Sequence, residues 1–534
     1  MHGSKNAVER KLAEVENLWL DASEDDSARL FIWRTAADSD RLLQVFFALQ
    51  QEGQNDYTTP DLFVHFTTPF ETAWDYSHAL EQEFTERVSI SSFPEPRWSS
   101  DGLTPCYRGD ALFSLLNDFA RYHQGSFRYL AVILTPAAIS HSDSFHRFLN
   151  ELCCAGTAVP SYLRFMLVDT HENPSWQGLV ECFPETVRVL APEISEDELM
   201  RQTLNETPTT DGAAMLRFRQ VMVDSFISLK NGTAAQTEHL AQKAVALARQ
   251  QGWTEQQVIM LSMIAGAWLK EQQAQSAAYH YRLAVQEAES LPAESRHILK
   301  TQNLMGEGNA WFMNKAYLKS SSSYYNAALE AQKIPSPLLA MEGYRMAGFS
   351  LMSVTPLPED ITQHYYDALR TGLSMSESER AQSGFMQIFR DLLNFLAPDA
   401  TSLCDRLAIH YRSQLEELLY QTEIQVYQSS LLNINCVVAE CNNMLMQRSE
   451  ELFHRTIIQR EHSLQKECSL YQDVLSLARK YSYDFWSPGT EILHPNNKPV
   501  GDVAIPNLEN KKQPYPTESD NYLLIQHVFS YGGK

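Results

Sequence analysis

A short motif recurs through the middle of the chain and limits what that stretch can fold into. It reads Tyr281-Arg-Leu-Ala284-Val285, Tyr325-Asn-Ala-Ala328-Leu329 and Tyr365-Tyr-Asp-Ala368-Leu369, and a copy without the aromatic stands at Ala241-Gln-Lys-Ala244-Val245. The first positions lie 40, 44 and 40 residues apart, which is the period of a two-helix unit. Each tyrosine follows a small-residue/aromatic cluster: Gly266-Ala267-Trp268, Asn309-Ala310-Trp311 and Ala347-Gly348-Phe349, at offsets of 13, 14 and 16 residues. Small residues let two helix backbones approach, and an aromatic fills the space beside them. Ala284, Ala328 and Ala368 fall one turn beyond the aromatic and face the same contact.

From about Thr233 to Met375 this pattern resembles tetratricopeptide (TPR) repeats, although its period exceeds their usual ~34 residues. The resemblance implies a helical solenoid with a groove that binds another protein, and little chemistry of its own. Polar side chains on the first helix of each pair are expected to line that groove: Asn303, Glu307, Asn314 and Arg345. The competing reading is an irregular α-bundle in which the aromatic/alanine pairs are ordinary core.

The first 205 residues have a different texture. Short apolar runs at Leu30–Trp33, Leu62–Phe66, Tyr129–Leu134, Leu163–Val168 and Val187–Leu190 alternate with helical patterns at Arg41–Gln51, Ala111–Tyr122, Ser144–Cys154 and Gln177–Cys182; a further one, Ser195–Asn205, follows the last run. Strands alternating with helices predict a doubly wound, mostly parallel sheet covered on both faces. The order and spacing resemble a P-loop ATPase core of the AAA+ and STAND kind. An active member carries a Gly-rich loop and Lys-Ser/Thr after the first strand. Here that loop is Arg34-Thr-Ala-Ala-Asp38-Ser39-Asp40, without glycine or lysine, and the third strand runs into Thr135-Pro136 instead of an acid that helps hold Mg²⁺. The domain is therefore read as degenerate P-loop-like, or as another doubly wound fold; both predict no ATP hydrolysis and no cofactor.

The expected organisation is an α/β domain over 1–205, TPR-like repeats over 211–398, a helical region over 399–486 and an extended tail over 487–534. Gln428–Tyr481 contains no Gly or Pro and reads as one long helix or two joined ones. Its apolar stripe, Ile434, Val438, Cys441, Leu445 and Leu452, breaks at Arg448, Arg455 and Gln459 and resumes at Leu464, Cys468, Tyr471 and Leu475. Such a helix is expected to cap the repeats; a homodimer seam is the alternative. The tail is rich in Pro and ends in the apolar run Tyr522–Phe529, where Tyr522, Ile525 and Phe529 are candidate contacts, made to a partner by strand addition or to the chain itself.

Net charge is -23, so the chain has no general attraction for nucleic acid or anionic membrane. Eight irregularly spaced cysteines and the lack of a secretory pattern suit a reducing, cytoplasmic setting. His141, His146, Cys153 and Cys154 cluster along one helical pattern, but ligands two turns apart on one helix do not converge on a metal. Asp38, Asp40, His65 and Asp169 stand at carboxyl ends of strands, where such sheets hold ligands. Taken together, the features point to a non-catalytic scaffold, adaptor or chaperone for a protein partner, such as a secreted bacterial effector. A STAND-type regulator with a degenerate nucleotide domain and a repeat sensor is the alternative.

Overall fold

The computed structural model describes residues 6–37, 39–52, 58–91, 98–100, 103, 105–155, 162–206, 212–429, 433–481, 486–495 and 516–531. Two compact units divide the chain: Met1–Thr207 with Ser413–Ser449, and Pro208–Arg412 with Glu450–Lys534.

In the first unit the order is α1 (Ala7–Ser23), β1 (Leu30–Thr35), α2 (Asp40–Glu52), β2 (Leu62–Phe66), α3 (Ala73–Ile90), α4 (Gly109–Tyr122), β3 (Leu130–Leu134), α5 (Ser142–Cys154), β4 (Leu163–Thr170), α6 (Gln177–Cys182), β5 (Val187–Leu190) and α7 (Glu196–Glu206). The strands form one sheet in the order β2-β3-β4-β1-β5, and every pairing is parallel. Strand side chains alternate between two buried faces, which is why the runs read as continuously apolar. Phe31 and Trp33 of β1 pack with Trp19 of α1 and Phe46 and Phe47 of α2. Leu30 and Ile32 point the other way, into a larger core with Leu80, Phe84, Leu116 and Phe148 from α3, α4 and α5.

In the second unit α8 (Ala213–Asn231), α9 (Ala234–Gln251), α10 (Thr254–Lys270), α11 (Ala274–Ala288), α12 (Ala293–Met313), α13 (Tyr317–Ala331), α14 (Pro337–Leu351) and α15 (Asp360–Leu373) follow one another, each packed on the next. Then come α16 (Glu377–Ala381), α17 (Phe385–Leu396), α18 (Pro398–Tyr427) and α19 (Ile434–Leu464), of which the end of α18 and the start of α19 belong to the first unit, and α20 (Ser469–Tyr481) and α21 (Glu518–Tyr531). The 21-residue α12 accounts for part of the long sequence period.

The recurrent small residues have a specific task. A Cβ on Gly306 of α12 would lie 2.5 Å from the Tyr281 ring of α11, and one on Gly308 would lie 2.8 Å from the Tyr324 ring of α13. On α14, Gly343 abuts Ala328 of α13 and Gly348 abuts the Tyr365 ring of α15. Each of these two helices thus has one glycine facing the preceding helix and one facing the following helix. The sequence motif placed Tyr325 in this role, but the buried ring against glycine is its neighbour Tyr324; Tyr325 instead meets Tyr344 and His364.

The run Tyr522–Phe529, read above as part of an extended tail, is helical and lies within α21. Ile525, Val528 and Phe529 enter the same core as Tyr365, Phe389 and Leu475. Most of the Pro-rich stretch before it, with Lys511 and Lys512, lies outside the described residues.

Candidate functional site

Two places hold the residues that chemistry or recognition would need. The first is the carboxyl edge of the sheet, where β1 and β4 lie side by side and the connections leaving them run to opposite sides. Arg34, the penultimate residue of β1, lies beside Asp169 of β4, with Nη2 donating to Oδ2 at 3.1 Å and Nη1 donating to Gln177 Oε1 at 3.2 Å. Asp169 also accepts the backbone N–H groups of Thr170 at 3.0 Å and Ser175 at 2.9 Å through Oδ1. Glu172 accepts the N–H of Ala37 at 3.0 Å. The Asp169 and Glu172 carboxylates at this edge are thus engaged with neighbouring protein groups.

Asp40 opens α2 and accepts from Gln44 at 2.9 Å, while Asp38 lies outside the described residues. His65 stands at the other side of the sheet, 2.5 Å from the Thr135 hydroxyl through Nε2. Burial, helped by Arg87, pulls its imidazole below the usual range. His65 on β2 and Asp169 on β4 are separated along the sheet by one intervening strand, β3, and do not form one cluster. His146 contacts Ser142 O at 2.8 Å and Ser175 O at 3.3 Å, and Cys153 is buried with its thiol pushed up to about 12. No group of three or more His, Cys, Asp or Glu among the described residues is placed to hold a metal ion.

The second place is an open cleft of about 920 Å³, counting the solvent at its mouth, between α14, α17 and the start of α18. Its floor is built on Arg345, whose guanidinium is almost completely covered. Nη1 donates to Asp391 at 2.7 Å, while Nε and Nη2 reach Glu342 at 2.9 and 2.6 Å. Burial opposes the charge on Arg345, but the two carboxylates outweigh it and hold the group above its ordinary range. Asp391 accepts in addition from Tyr365 Oη at 3.2 Å and Gln387 Nε2 at 3.3 Å. Burial still raises its carboxyl above the usual range, against the pull of Arg345. One wall carries Arg390 clasping both oxygens of Asp405 at 2.8 and 2.9 Å. Met346 and Phe349 give the cleft an apolar patch, and Gln387, Asn394 and Ser402 give it neutral amide and hydroxyl groups.

Of the four residues expected to line a groove, only Arg345 borders this cleft. Asn303 is buried, accepting from Ser262 at 2.7 Å and donating to Leu299 O at 2.8 Å, so it ties α10 to α12. Glu307 is buried as well, paired with Arg282 and accepting from Trp311 Nε1 at 3.1 Å. Both polar groups are consumed inside the helix stack, which corrects their reading as groove-facing. Asn314 is exposed, as the residue that closes α12. Tyr522 is half-buried and meets Tyr366 edge-on at 5.2 Å, while Ile525 is 1% exposed and Phe529 packs on Tyr365 and Phe395. The last two are interior residues of the second unit, not an exposed contact.

Sequence reasoning missed Asp391, although a signal was present: α17 reads Phe385-Met-Gln-Ile-Phe-Arg-Asp391-Leu, a carboxylate on an apolar helical face. Such a group needs a buried partner. Glu423, taken up below, has no comparable signal. No family model matches this chain, and no curated protein or solved structure matches it either. Among the described residues, no helix is long and apolar enough to cross a membrane.

Proposed function

We propose that the protein is a non-catalytic scaffold, adaptor or chaperone that holds a segment of another protein against α14, α17 and α18. The carrying observation is the open cleft whose charged residues neutralise one another while the exposed Asn394 amide and the apolar Met346 and Phe349 line it. That chemistry suits an extended polypeptide, whose backbone needs donors and acceptors and whose side chains need a patch to rest on. On this reading α8–α15 are a TPR-like solenoid, and the cleft lies where the array meets its C-terminal helices. Native copurification with crosslinking tests the proposal. A stoichiometric partner protein is expected, lost when Asn394 and Arg390 are both changed to alanine. Recovery of no partner, or of one indifferent to these changes, counts against it.

The runner-up is a STAND-type regulator with a degenerate nucleotide-binding domain and a TPR-like sensor. The all-parallel sheet and the helix that follows β1 favour it. The Arg34–Asp169 pair and the missing Gly-Lys loop oppose it. Isothermal titration separates the two: micromolar, Mg²⁺-dependent binding of ATP or ADP would establish the regulator reading over the scaffold.

A further inference from the structure

The first unit contains a segment far removed from it in sequence. Residues 413–449, the end of α18 and the start of α19, belong with Met1–Thr207. Their attachment is narrow. Val426, Ile434, Val438 and Cys441 form a small cluster around Trp74 of α3, and most other side chains of the segment are exposed or half-exposed. By contrast, all five positions of β3 are buried. The seam leaves a small gap of about 10 Å³, room for about one water, bordered by Trp74, Tyr107, Arg108, Arg147, Glu423 and Tyr427.

At the centre of this narrow contact lies one charge. Glu423 is 4% exposed. Its Oε1 accepts the N–H of Ala73, the first residue of α3, at 2.9 Å. Its Oε2 accepts the Ser144 hydroxyl in the first turn of α5 and lies 3.6 Å from Arg147 Nη1. A carboxylate set at two helix N-termini is held here by one first-turn N–H of α3, by a first-turn hydroxyl of α5 and by the partial positive charge of both helices. Around it, Arg147 faces the rings of Tyr420 and Tyr427, Arg108 faces Tyr427, and Asn442 accepts from Trp74 Nε1 at 3.2 Å. A sparse apolar stripe with one deeply held charge describes a contact that opens as a unit, below the cost of opening the sheet.

We infer that the described residues 413–429 and 433–449 are a releasable clamp on the α/β unit, pinned by the Glu423 carboxylate between the N-termini of α3 and α5. Release uncovers the N-terminal turns of α3 and α5 together with the buried Trp74 and the half-buried Tyr107, Arg108 and Arg147, an aromatic and cationic face partly covered while the clamp is on. The clamp is thus an intramolecular cover over one end of the sheet. It goes beyond the proposed cleft and stands or falls independently of it.

Hydrogen–deuterium exchange on the full chain tests the clamp. In the unchanged protein, peptides from 417–428 and 434–448 are expected to exchange at least tenfold faster than those from 130–134 and 163–168. Glu423→Gln keeps the size of the side chain and removes its charge. It is expected to accelerate the clamp peptides and the start of α3 by a further tenfold or more while leaving both strands unchanged. Ser144→Ala should act in the same direction more weakly. Uniform acceleration of clamp and strands, or no change anywhere, overturns the inference. If Glu423→Gln does not fold, the unchanged protein decides alone: clamp peptides as protected as β3 and β4 exclude a releasable contact.

Discussion

A Cβ added to Gly348 would sit 2.6 Å from the ring of Tyr365, which is fully buried and tied through its hydroxyl to Asp391. Neither ring nor helix can retreat. Gly348→Ala is therefore expected to destabilise the second unit by about 1–3 kcal/mol, despite the better helix propensity of alanine. Gly306→Ala meets Tyr281, a half-buried ring approached at its far end, so part of that clash relaxes and the cost is smaller. Gly266 has open space around its Cβ position, so Gly266→Ala is expected to stabilise by about 0.5–1 kcal/mol. Equilibrium denaturation of the three variants checks the ranking. Equal effects at all three positions would remove the close-approach account of the repeat.

At the scale of the element, the Arg345–Asp391 pair links α14 to α17, with Tyr365 of α15 on the same carboxylate. Asp391→Ala leaves the buried guanidinium with Glu342 as its one carboxylate partner and is expected to cost about 1–3 kcal/mol. Changing Arg345→Met and Asp391→Leu together should recover much of that loss, and a double-mutant cycle measures the coupling. Phe529→Ala is expected to cost about 3–4 kcal/mol, because α21 is part of the core it caps. Element placement was largely legible beforehand: all five strands lie where continuous apolar runs stood, since a strand buried on both faces has little else to show. The helix α3 was missed because its buried Trp74, Tyr76, Leu80 and Phe84 are diluted by polar neighbours. The site was less legible. Whether Asn303 or Glu307 faces solvent depends on which neighbouring helix supplies Ser262 or Arg282, and those partners lie 41 and 25 residues away. The broken stripe at Arg448 and Arg455 also has a physical origin: Ile434, Val438 and Cys441 serve one core, while Leu464, Tyr471 and Leu475 serve another.

Across the whole molecule, the two units respond to pH through carboxylates shifted in opposite directions. In the first unit, burial pushes the Glu151 carboxyl up to about 7, although it accepts the N–H of Gly109 at 2.8 Å and feels Arg108 and Arg147. A raised folded-state pKa favours the protonated group, so this contribution to stability is complete below the unfolded value near 4.5 and is lost as pH rises to about 7. In the second unit, burial would raise the Glu330 carboxyl, but hydrogen bonds from Lys300, His297 and Lys333 outweigh it and bring the group down to about 2. That contribution is present above the unfolded value near 4.5 and is lost as pH falls toward 2. Glu151→Gln should therefore stabilise the first unit at pH 8 by about 1–3 kcal/mol and leave it nearly unchanged at pH 4. Glu330→Gln should destabilise the second unit by about 1–2 kcal/mol at pH 8, with the difference vanishing near pH 2. Hydrogen exchange resolves the units separately, with peptides from β3 and β4 reporting one and peptides from α12 and α13 the other. A Glu151→Gln effect of the same size at pH 4 and pH 8 would show that packing, not ionisation, sets it. The two substitutions should also add in the double variant, since each carboxylate acts within its own unit.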